Sequence, residues 1–357
     1  MKKATLITLI AVFSLIVAGA AAFGYLAYDF THTAPSADTT EVIYEVKPGQ
    51  SFNVIAKDLE SKGIVKNAFA FSMFARFTNQ RSLIKRGEYA LSPNMLPNEV
   101  LMVITSGKSV SKPFTVAEGL NIYEIADLYE KEGFGKKDEF LALAKDSSFT
   151  KQLLGEPATS LEGYLFPETY MITKFDSTRD LITSMVKRFL SVYTELGAAN
   201  ALPGWSRNQI VTLASIIEKE TGAKADRPLV SSVFHNRLIK KMKLQTDPTI
   251  IYGIADATGV VPNNIHKDDI LKPTRYNTYV INALPPGPIS NPGRESIMAA
   301  IRPAPSKFLY FVSRNDGTTV FSENLETHNK SVQKYQIDPK ARENKSWRDL
   351  NKKSVSK

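Results

Sequence analysis

Two glutamic acids near the end of a short predicted helix are the residues best suited to proton transfer. Ser206 is a typical N-cap, and the segment from Asn208 to Thr221 has apolar residues at helical spacing. Glu218 and Glu220 fall at opposite edges of the apolar arc, where partial burial raises the pKa of a carboxyl group. Such a group can donate a proton near neutral pH. Helix geometry does not choose between the two, and a solvated Glu-Lys-Glu at a helix end is the plainer interpretation.

Loops rich in tyrosine, threonine, proline and carboxylates flank this helix in the sequence. They favour a groove for a hydroxylated substrate, because aromatic rings pack on sugar C–H faces and carboxylates accept hydrogen bonds from hydroxyls. Ordinary packing of a loop on a core is the alternative for the first of them, residues 160–170. The candidate substrate-binding residues are Glu162, Tyr164, Glu168, Thr169, Tyr170, Gln245, Thr246, Asp247, Tyr252, Tyr276, Asn277, Tyr279 and Pro286.

Composition argues against several other chemistries. The chain has no cysteine, so disulfides, thiolate metal sites and a cysteine nucleophile are excluded. No two of the 4 histidines stand four residues apart and no HExxH occurs, so we predict no metal and no cofactor. The net charge of +9 favours an acidic partner. The basic residues form no stripe interleaved with aromatics, so we predict no nucleic-acid binding.

The N-terminal segment determines the expected compartment. Lys2 and Lys3 precede an uncharged stretch from Thr5 to Tyr28, about 24 residues, which can cross a bilayer as a helix. By the positive-inside rule the short end faces the cytoplasm. We therefore expect a single-pass protein of the cytoplasmic membrane with its bulk on the periplasmic face. A cleaved signal peptide is the alternative, since Ala20-Ala21-Ala22 offers a cleavage site, but the apolar run exceeds a usual signal core.

A segment of the chain occurs twice. Tyr44–Ile64 matches Phe114–Phe134 without a gap, and glycines recur at Gly49 and Gly119 and at Gly63 and Gly133. Each copy predicts a strand, a glycine turn and a short helix that ends at the second glycine. The Val-Lys-Pro-Gly-Gln-Ser opening of the first copy resembles a LysM-like module, although a common strand-helix unit fits equally well. Glycan binding by this module is a hypothesis.

The predicted fold class is α+β. We expect a cytoplasmic stub and transmembrane anchor at residues 1–28, a linker at 29–41, a small LysM-like strand-helix module at 42–112, a larger mixed α+β catalytic domain at 113–335 and a polar basic tail at 336–357.

Five segments, taken together and in order, resemble the MltG (YceG-like) family of endolytic murein transglycosylases. They are Leu161–Tyr170, Ala214–Thr221, Leu244–Tyr252, Tyr276–Tyr279 and Leu284–Ile289. The likeness continues to Phe321 and to Thr327-His328-Asn329. The resemblance implies that Glu218 is the catalytic acid and general base. It implies cleavage of peptidoglycan glycan strands with 1,6-anhydro-N-acetylmuramic acid ends, limiting the length of nascent strands, with cell-wall synthesis proteins as partners.

The chain also departs from that family. Thr319 stands where the family often has a histidine, and Arg275 and Ala283 occupy places where proline and glycine are frequent. The main alternative function is a noncatalytic, membrane-anchored peptidoglycan-binding scaffold. A serine hydrolase of wall peptides is a weaker alternative, because neither GxSxG nor SxxK with its companion motifs is present.

Overall fold

The structure is a computed structural model that describes residues 2–338, with side chains described from residue 6 onward. Most of the predicted basic tail, from residue 339, lies outside the described residues. The elements in chain order are α1 (Lys2–His32), β1 (Val42–Val46), α2 (Phe52–Ser61), α3 (Ala68–Phe77), β2 (Gly87–Leu91), α4 (Pro97–Ser106), β3 (Ser111–Thr115), α5 (Ile122–Lys131), α6 (Lys137–Ala144), α7 (Ser147–Leu154), β4 (Thr169–Thr173), α8 (Thr178–Glu195), α9 (Arg207–Glu220), α10 (Arg227–Ile239), α11 (Asp247–Thr258), α12 (Lys267–Ile270), α13 (Arg294–Ile301), β5 (Tyr310–Ser313), β6 (Thr319–Ser322) and α14 (Leu325–Val332).

The strands pair as β1 with β2, β3 with β4 and β5 with β6, each pair forming a two-stranded sheet. This mixture of many helices with small sheets confirms the predicted α+β class. The chain forms two compact units: one comprises Met1–Lys112 with Met171–Phe175, and the other Pro113–Tyr170 with the chain from Asp176 onward.

Helix α1 is long and apolar enough to cross a membrane. Its 31 residues span about 46 Å at 1.5 Å per residue, against about 30 Å for a hydrocarbon core. Its apolar side chains are exposed along the span; Phe23, for example, is 73% exposed. Near the end of the helix the burial changes: Phe30 enters the core of the first unit beside Phe74, and Asp29 pairs with Lys66 at 3.0 Å. The helix fits a single-pass anchor.

The internal repeat folds as predicted in both copies. Helices α2 and α5 occupy corresponding positions in the two copies. The turn glycines Gly49 and Gly119 have φ of 73° and 82°, and the helix-ending Gly63 and Gly133 have φ of 70° and 79°. A residue with a Cβ adopts this left-handed conformation at a cost, which explains why glycine recurs at these positions.

Helix α9 lies at the centre of the second unit. As predicted, Ser206 caps it: the Oγ of Ser206 accepts from the backbone N–H of Gln209 at 3.2 Å, and the Gln209 side chain accepts from the backbone N–H of Ser206 at 2.9 Å. The prediction of one apolar arc was wrong, since every residue from Ile210 to Ile217 is buried. Helices α10, α11 and α13 pack around α9, so it has no solvated face over this stretch.

Replacing the cap tests how strongly the start of α9 stabilises the unit. We expect Ser206→Ala to lower the free energy of unfolding by about 1 kcal/mol, because the N–H of Gln209 loses its acceptor. Chemical denaturation of the detergent-solubilised full-length protein measures this. Ser206→Asp is the control and should retain near-wild-type stability, since aspartate also caps helices. Equal losses in both variants would contradict the capping role.

Candidate active site

The C-terminal turn of α9 opens onto a cavity of about 590 Å³, here called the acid cavity. Its volume lies within the range of sites that enclose a small ligand or part of a polymer. Its walls come from α9, α10, α14, β5 and the loops that precede α11 and follow α12. The lining residues are Lys219, Glu220, Arg237, Leu244, Gln245, Asp247, Pro248, Tyr279, Tyr310, Phe311, Leu325, His328 and Asn329.

Glu220 is the acid of α9 that reaches this cavity. Its carboxylate accepts a hydrogen bond from the hydroxyl of Thr246. The pKa of Glu220 is raised to about 7: burial is the main cause and the negative charge of Asp247 adds to it, whereas the Thr246 hydrogen bond and the Arg237 charge oppose the rise. Glu220 forms no ion pair within 4 Å among the described residues. At neutral pH it therefore exchanges its proton readily, as a general acid and base requires.

Asp247 places a second carboxylate in the cavity wall. It is the first residue of α11, and its Oδ1 accepts from the hydroxyl of Tyr279 at 2.7 Å. Burial and the neighbouring Asp247 raise the pKa of Tyr279, so this hydroxyl remains protonated and keeps donating. Two carboxyl groups in one cavity disfavour simultaneous ionisation, which favours the protonated form of Glu220.

The loop before α11 is held in an unusual backbone conformation. Gln245 has φ of 52°, a left-handed value that is uncommon for a residue with a Cβ. Its backbone N–H donates to the carbonyl of Thr278 at 3.2 Å, and the N–H of Thr246 donates to the Thr278 hydroxyl at 3.0 Å. These bonds stabilise the strained turn, which exposes the Gln245 side chain to the cavity and directs the Thr246 hydroxyl at Glu220.

Arg237 forms hydrogen bonds to two walls of the cavity. It is only 8% exposed; its Nε donates to the carbonyl of Leu309 and its Nη1 to that of Leu244, both at 2.7 Å. The guanidinium also lies over the ring of Tyr310, 5.4 Å from its centroid. Arg237 thus joins α10 to the segment entering β5 and to the loop before α11, and it places a positive charge near Glu220.

Aromatic rings form the wall opposite α9. The rings of Tyr310 and His328 stack with centroids 5.1 Å apart, and Phe311 lies beside them in the lining. Burial and the Arg237 charge lower the pKa of His328, which favours the neutral ring. Flat rings of this kind can pack on the C–H face of a sugar.

Glu218 occupies a different environment from Glu220. Its side chain is 5% exposed, and its Oε1 lies 2.6 Å from Nη2 of Arg227, itself 5% exposed. The other oxygen accepts from the backbone N–H of Gly293 at 2.9 Å. Arg227 also approaches Glu118 at 3.4 Å. Glu218 does not line the acid cavity, and its two carboxylate oxygens are engaged by Arg227 and Gly293, so the geometry suits a structural ion pair better than a proton donor.

The first candidate loop lies mostly away from the acid cavity. Glu162 is 1% exposed and accepts from the backbone N–H of Ile122 and from the Asn291 amide; burial raises its pKa to about 8. Tyr164 is 1% exposed and packs edge-on against Phe189, so it offers no surface to a sugar. Both support the core around α9.

The remaining residues of that loop make local contacts. Glu168 pairs with Arg188 at 2.7 Å on the surface. The Thr169 hydroxyl lies 2.9 Å from that of Thr115, and the Tyr170 hydroxyl donates to the carbonyl of Phe166 at 2.6 Å. None of the three lines the acid cavity.

The later candidates lie in four different places. Gln245, Asp247 and Tyr279 line the acid cavity. Tyr252 and Tyr276 line a smaller second cavity. Asn277 is fully buried, and its amide donates to the carbonyls of Ile270 and Lys272, which fixes the loop that carries Tyr279. Pro286 is exposed and lines neither cavity.

Several lining residues were not predicted from the sequence as site residues. Arg237 lies on a helix with no local motif, and Tyr310 and Phe311 belong to an ordinary short strand. His328 and Asn329 entered only as part of the family resemblance. No local signal pointed to Arg237 either, because α10 also carries Ser231, Ser232, His235 and Asn236.

The arrangement suits proton transfer rather than metal chemistry in the part of the chain that is described. No group of three or more His, Asp or Glu side chains there could hold a metal ion. One exchangeable acid, a second carboxylate, a buried cation and a stacked aromatic wall surround a space for a hydroxylated ligand.

Comparison with known proteins identifies similar sequences and a similar structure. The sequence profile of the YceG-like family matches residues 44–334. An endolytic murein transglycosylase of Bacillus subtilis is 34% identical over 314 residues, covering 83% of this chain and 85% of that protein. One of Streptococcus pneumoniae is 29% identical over 92% of this chain and 65% of its own length. A 2.6 Å crystal structure of a YceG-like protein from Listeria monocytogenes has a TM-score of 0.56 at 34% identity, covering 81% of this chain and 98% of that one.

The two glutamates of α9 should differ in their effect on stability. We expect Glu218→Gln to lower the free energy of unfolding by about 3 kcal/mol, because it leaves the buried Arg227 charge without its nearest partner. Glu220→Gln should leave stability unchanged or raise it, since the amide is neutral and Thr246 can still donate to its oxygen. Chemical denaturation of both variants distinguishes them, and equal stability would contradict the ion-pair role of Glu218.

Proposed function

Because this chain belongs to the YceG-like family, we propose that it is a lytic transglycosylase that cleaves the glycan strands of peptidoglycan internally. The observation that carries the proposal is Glu220, a carboxyl group with a pKa of about 7 that opens into the acid cavity and has no cation within 4 Å among residues 2–338. We assign to Glu220 the acid and base role that the sequence analysis gave to Glu218, because Glu218 is engaged by Arg227.

The reaction needs one group that donates a proton and then accepts another. Protonated Glu220 gives its proton to the oxygen that bridges N-acetylmuramic acid to the next sugar, and the C1–O bond breaks with its electron pair going to that oxygen. The 6-hydroxyl oxygen of the muramic sugar then bonds to C1 while the Glu220 carboxylate takes the hydroxyl proton. The products are a free sugar end and a 1,6-anhydro end, and Glu220 is protonated again.

The intramolecular attack makes the cavity walls important. A hydroxyl on the reacting sugar needs only the right ring conformation, so positioning replaces the activation of a water molecule. The stacked Tyr310 and His328 rings provide a surface for a sugar ring, and Gln245 and Asp247 provide polar groups for its hydroxyls. A conventional glycosidase would instead use two carboxylates at a set separation.

The N-terminal helix determines where in the cell this activity takes place. We propose that α1 anchors the protein in the cytoplasmic membrane with the second unit on the periplasmic face, because Lys2 and Lys3 precede the span. There the enzyme meets newly made strands and limits their length, with cell-wall synthesis proteins as neighbours.

The first unit contains a separate cavity that suits binding of cell-wall glycan. A cavity of about 320 Å³ in this unit is lined by the turn after β1, including Gly49 and Gln50, and by Arg81, Ile84 and Arg86. The polar groups and mixed walls suit a glycan chain. We propose that this LysM-like module holds the strand while the second unit cuts it.

Removing the proton of Glu220 tests the catalytic assignment. Glu220→Gln should reduce release of anhydro-ended fragments at least about 100-fold, because the amide keeps the shape and cannot donate the proton. Mass analysis of fragments from purified uncrosslinked glycan measures this for the full-length protein in detergent. A folded Glu218→Gln variant should lose less activity than Glu220→Gln, because it keeps the proton donor and only loosens the end of α9; if it is inactive while Glu220→Gln is active, the assignment is reversed. No anhydro ends from the wild type would favour the noncatalytic scaffold.

The rate should depend on pH through Glu220. The first step needs the protonated form, so the rate should fall as pH rises above about 7, the pKa of Glu220. Asp247→Asn removes a like charge, lowers that pKa and should move the falling limb to lower pH. The other ionisable groups facing Glu220 are Lys219, Arg237, Tyr279, Tyr310 and His328.

Initial rates over a pH series measure the shift. Asp138→Asn, on the exposed surface of α6, is the matched control and should leave the limb in place. A limb that moves to higher pH in Asp247→Asn, or does not move, would contradict this electrostatic account.

A further inference from the structure

Helix α3 carries an exposed apolar face. Phe69 and Phe77 are each 76% exposed, and outside α1 no other phenylalanine among the described residues is exposed. Met73, which is half-buried, stands midway between them in the sequence. Residues four apart lie on one face of a helix, so the three side chains form a single stripe. The opposite side of α3, which carries Phe71, is buried in the core of the first unit.

The exposed part of α1 ends at the expected level of the lipid headgroups. Every side chain from Leu6 to Tyr28 is exposed, and this stretch spans about 34 Å at 1.5 Å per residue. A hydrocarbon core is about 30 Å thick. Tyr25 and Tyr28 stand at the end of the stretch, and tyrosines are enriched where a span meets the headgroups. Asp29 is therefore expected at headgroup level.

Helix α3 packs on α1 at this level. The buried Phe30 ring and the Phe74 ring of α3 have centroids 6.3 Å apart. Asp29 pairs at 3.0 Å with Lys66, two residues before α3 begins. Phe77 follows Phe74 by three residues, so it lies about 60° from this contact around the axis of α3, on the side away from the core. The apolar stripe therefore begins beside α1, where the span meets the headgroups.

The chain around α3 is basic. From Ser61 to Gly87 it holds six Lys or Arg residues and no Asp or Glu. Arg76 follows Phe69 by seven residues and so lies on the same face of α3. Arg76 and Arg81 line one open groove, and in the part of the chain that is described neither lies within 4 Å of a carboxylate. Cations beside a span attract anionic lipid headgroups.

We propose that the exposed face of α3 lies in the headgroup region of the membrane that α1 crosses and prefers anionic lipid. A helix with aromatic residues on one face and cations beside them suits this position, because the rings contact acyl chains and the cations contact phosphates. Lipid is the occupant rather than a second copy of the chain, because insertion of α1 already brings this face to the bilayer surface. The contact holds the first unit against the bilayer at a second point. The proposal rests on the proposed membrane anchor and is independent of the catalytic role of Glu220.

A depth measurement tests the contact. The chain has no cysteine, so Met73→Cys gives the full-length protein a single site for a fluorophore in the middle of the stripe. The labelled protein is reconstituted in vesicles whose lipids carry bromine at known depths in their acyl chains. The lipids should quench the label at a depth of about 5–10 Å, as expected for the buried face of an interfacial helix.

Variants of the stripe show whether its aromatic residues make the contact. In the labelled protein, Phe69→Ser with Phe77→Ser should abolish the quenching, because α3 loses its apolar contacts with lipid. Phe69→Trp with Phe77→Trp should retain it, since tryptophan also favours the interface. The matched control is Ile239→Ser with Leu271→Ser, which removes side chains of similar exposure elsewhere and should leave the depth unchanged.

Vesicle composition tests the role of the arginines. Quenching should be stronger in vesicles that contain phosphatidylglycerol than in vesicles of phosphatidylcholine alone. Arg76→Gln with Arg81→Gln should remove most of this difference, because fewer cations then meet the lipid phosphates. Equal quenching of the wild-type protein in both kinds of vesicle would contradict the preference for anionic lipid.

Three further results would overturn the proposal. They are no quenching in protein that floats with the vesicles, equal quenching in the serine pair and the control pair, and label emission that changes with protein density but not with brominated lipid. The last result would assign the face to a second copy of the chain. Protein that does not float with the vesicles would contradict the membrane anchor and this proposal together. None of these measurements uses glycan cleavage, so an inactive wild-type protein would leave the proposal standing.

Discussion

The contact between Glu218 and Arg227 fixes the part of the molecule on which the chemistry depends. Both side chains are 5% exposed, and their closest atoms are 2.6 Å apart. The pair joins the last turn of α9 to the first residue of α10, and the Gly293 N–H adds the turn before α13. Breaking a buried ion pair leaves a charge without its partner, so such a pair holds the elements that carry it together. Here it fixes the last turn of α9, and so the position of Glu220.

Two carboxyl groups on one helical turn thus have opposite properties. Glu218 has an arginine within hydrogen-bond distance, whereas Glu220 has a threonine hydroxyl and an aspartate nearby and a raised pKa, which leaves its proton exchangeable. The contrast arises from partners contributed by distant parts of the chain. Separating the environments of two acids in this way is how proteins assign a structural and a chemical role to the same residue type.

The sequence predicted the elements better than the site. The Ser206 cap, the repeated strand-turn-helix and the apolar N-terminal helix follow from local rules, and the structure confirms each. The environment of Glu218 could not be predicted, because Arg227 is nine residues away on another helix and Gly293 much farther. For the same reason Arg237 and Tyr310 were missed, and Tyr164, which looked like a sugar platform, is packed against Phe189. The environment of each of these residues is determined by tertiary contacts, which sequence patterns do not reveal.

The value of the Glu220 pKa matters because a single group must act in both directions. A carboxyl group with an ordinary pKa would be almost fully ionised at neutral pH and could not donate a proton, whereas one with a much higher pKa would be a weak acid that gives its proton to the sugar oxygen reluctantly. Burial and Asp247 prevent the first case, while Thr246 and Arg237 prevent the second. The strained Gln245 turn fixes the position of Thr246 and Asp247 relative to Glu220. The hydrogen bonds from Arg237 to Leu244 and Leu309 fix the position of its guanidinium. One acid can therefore serve both steps because burial and three neighbours, Thr246, Asp247 and Arg237, oppose one another in setting its proton affinity.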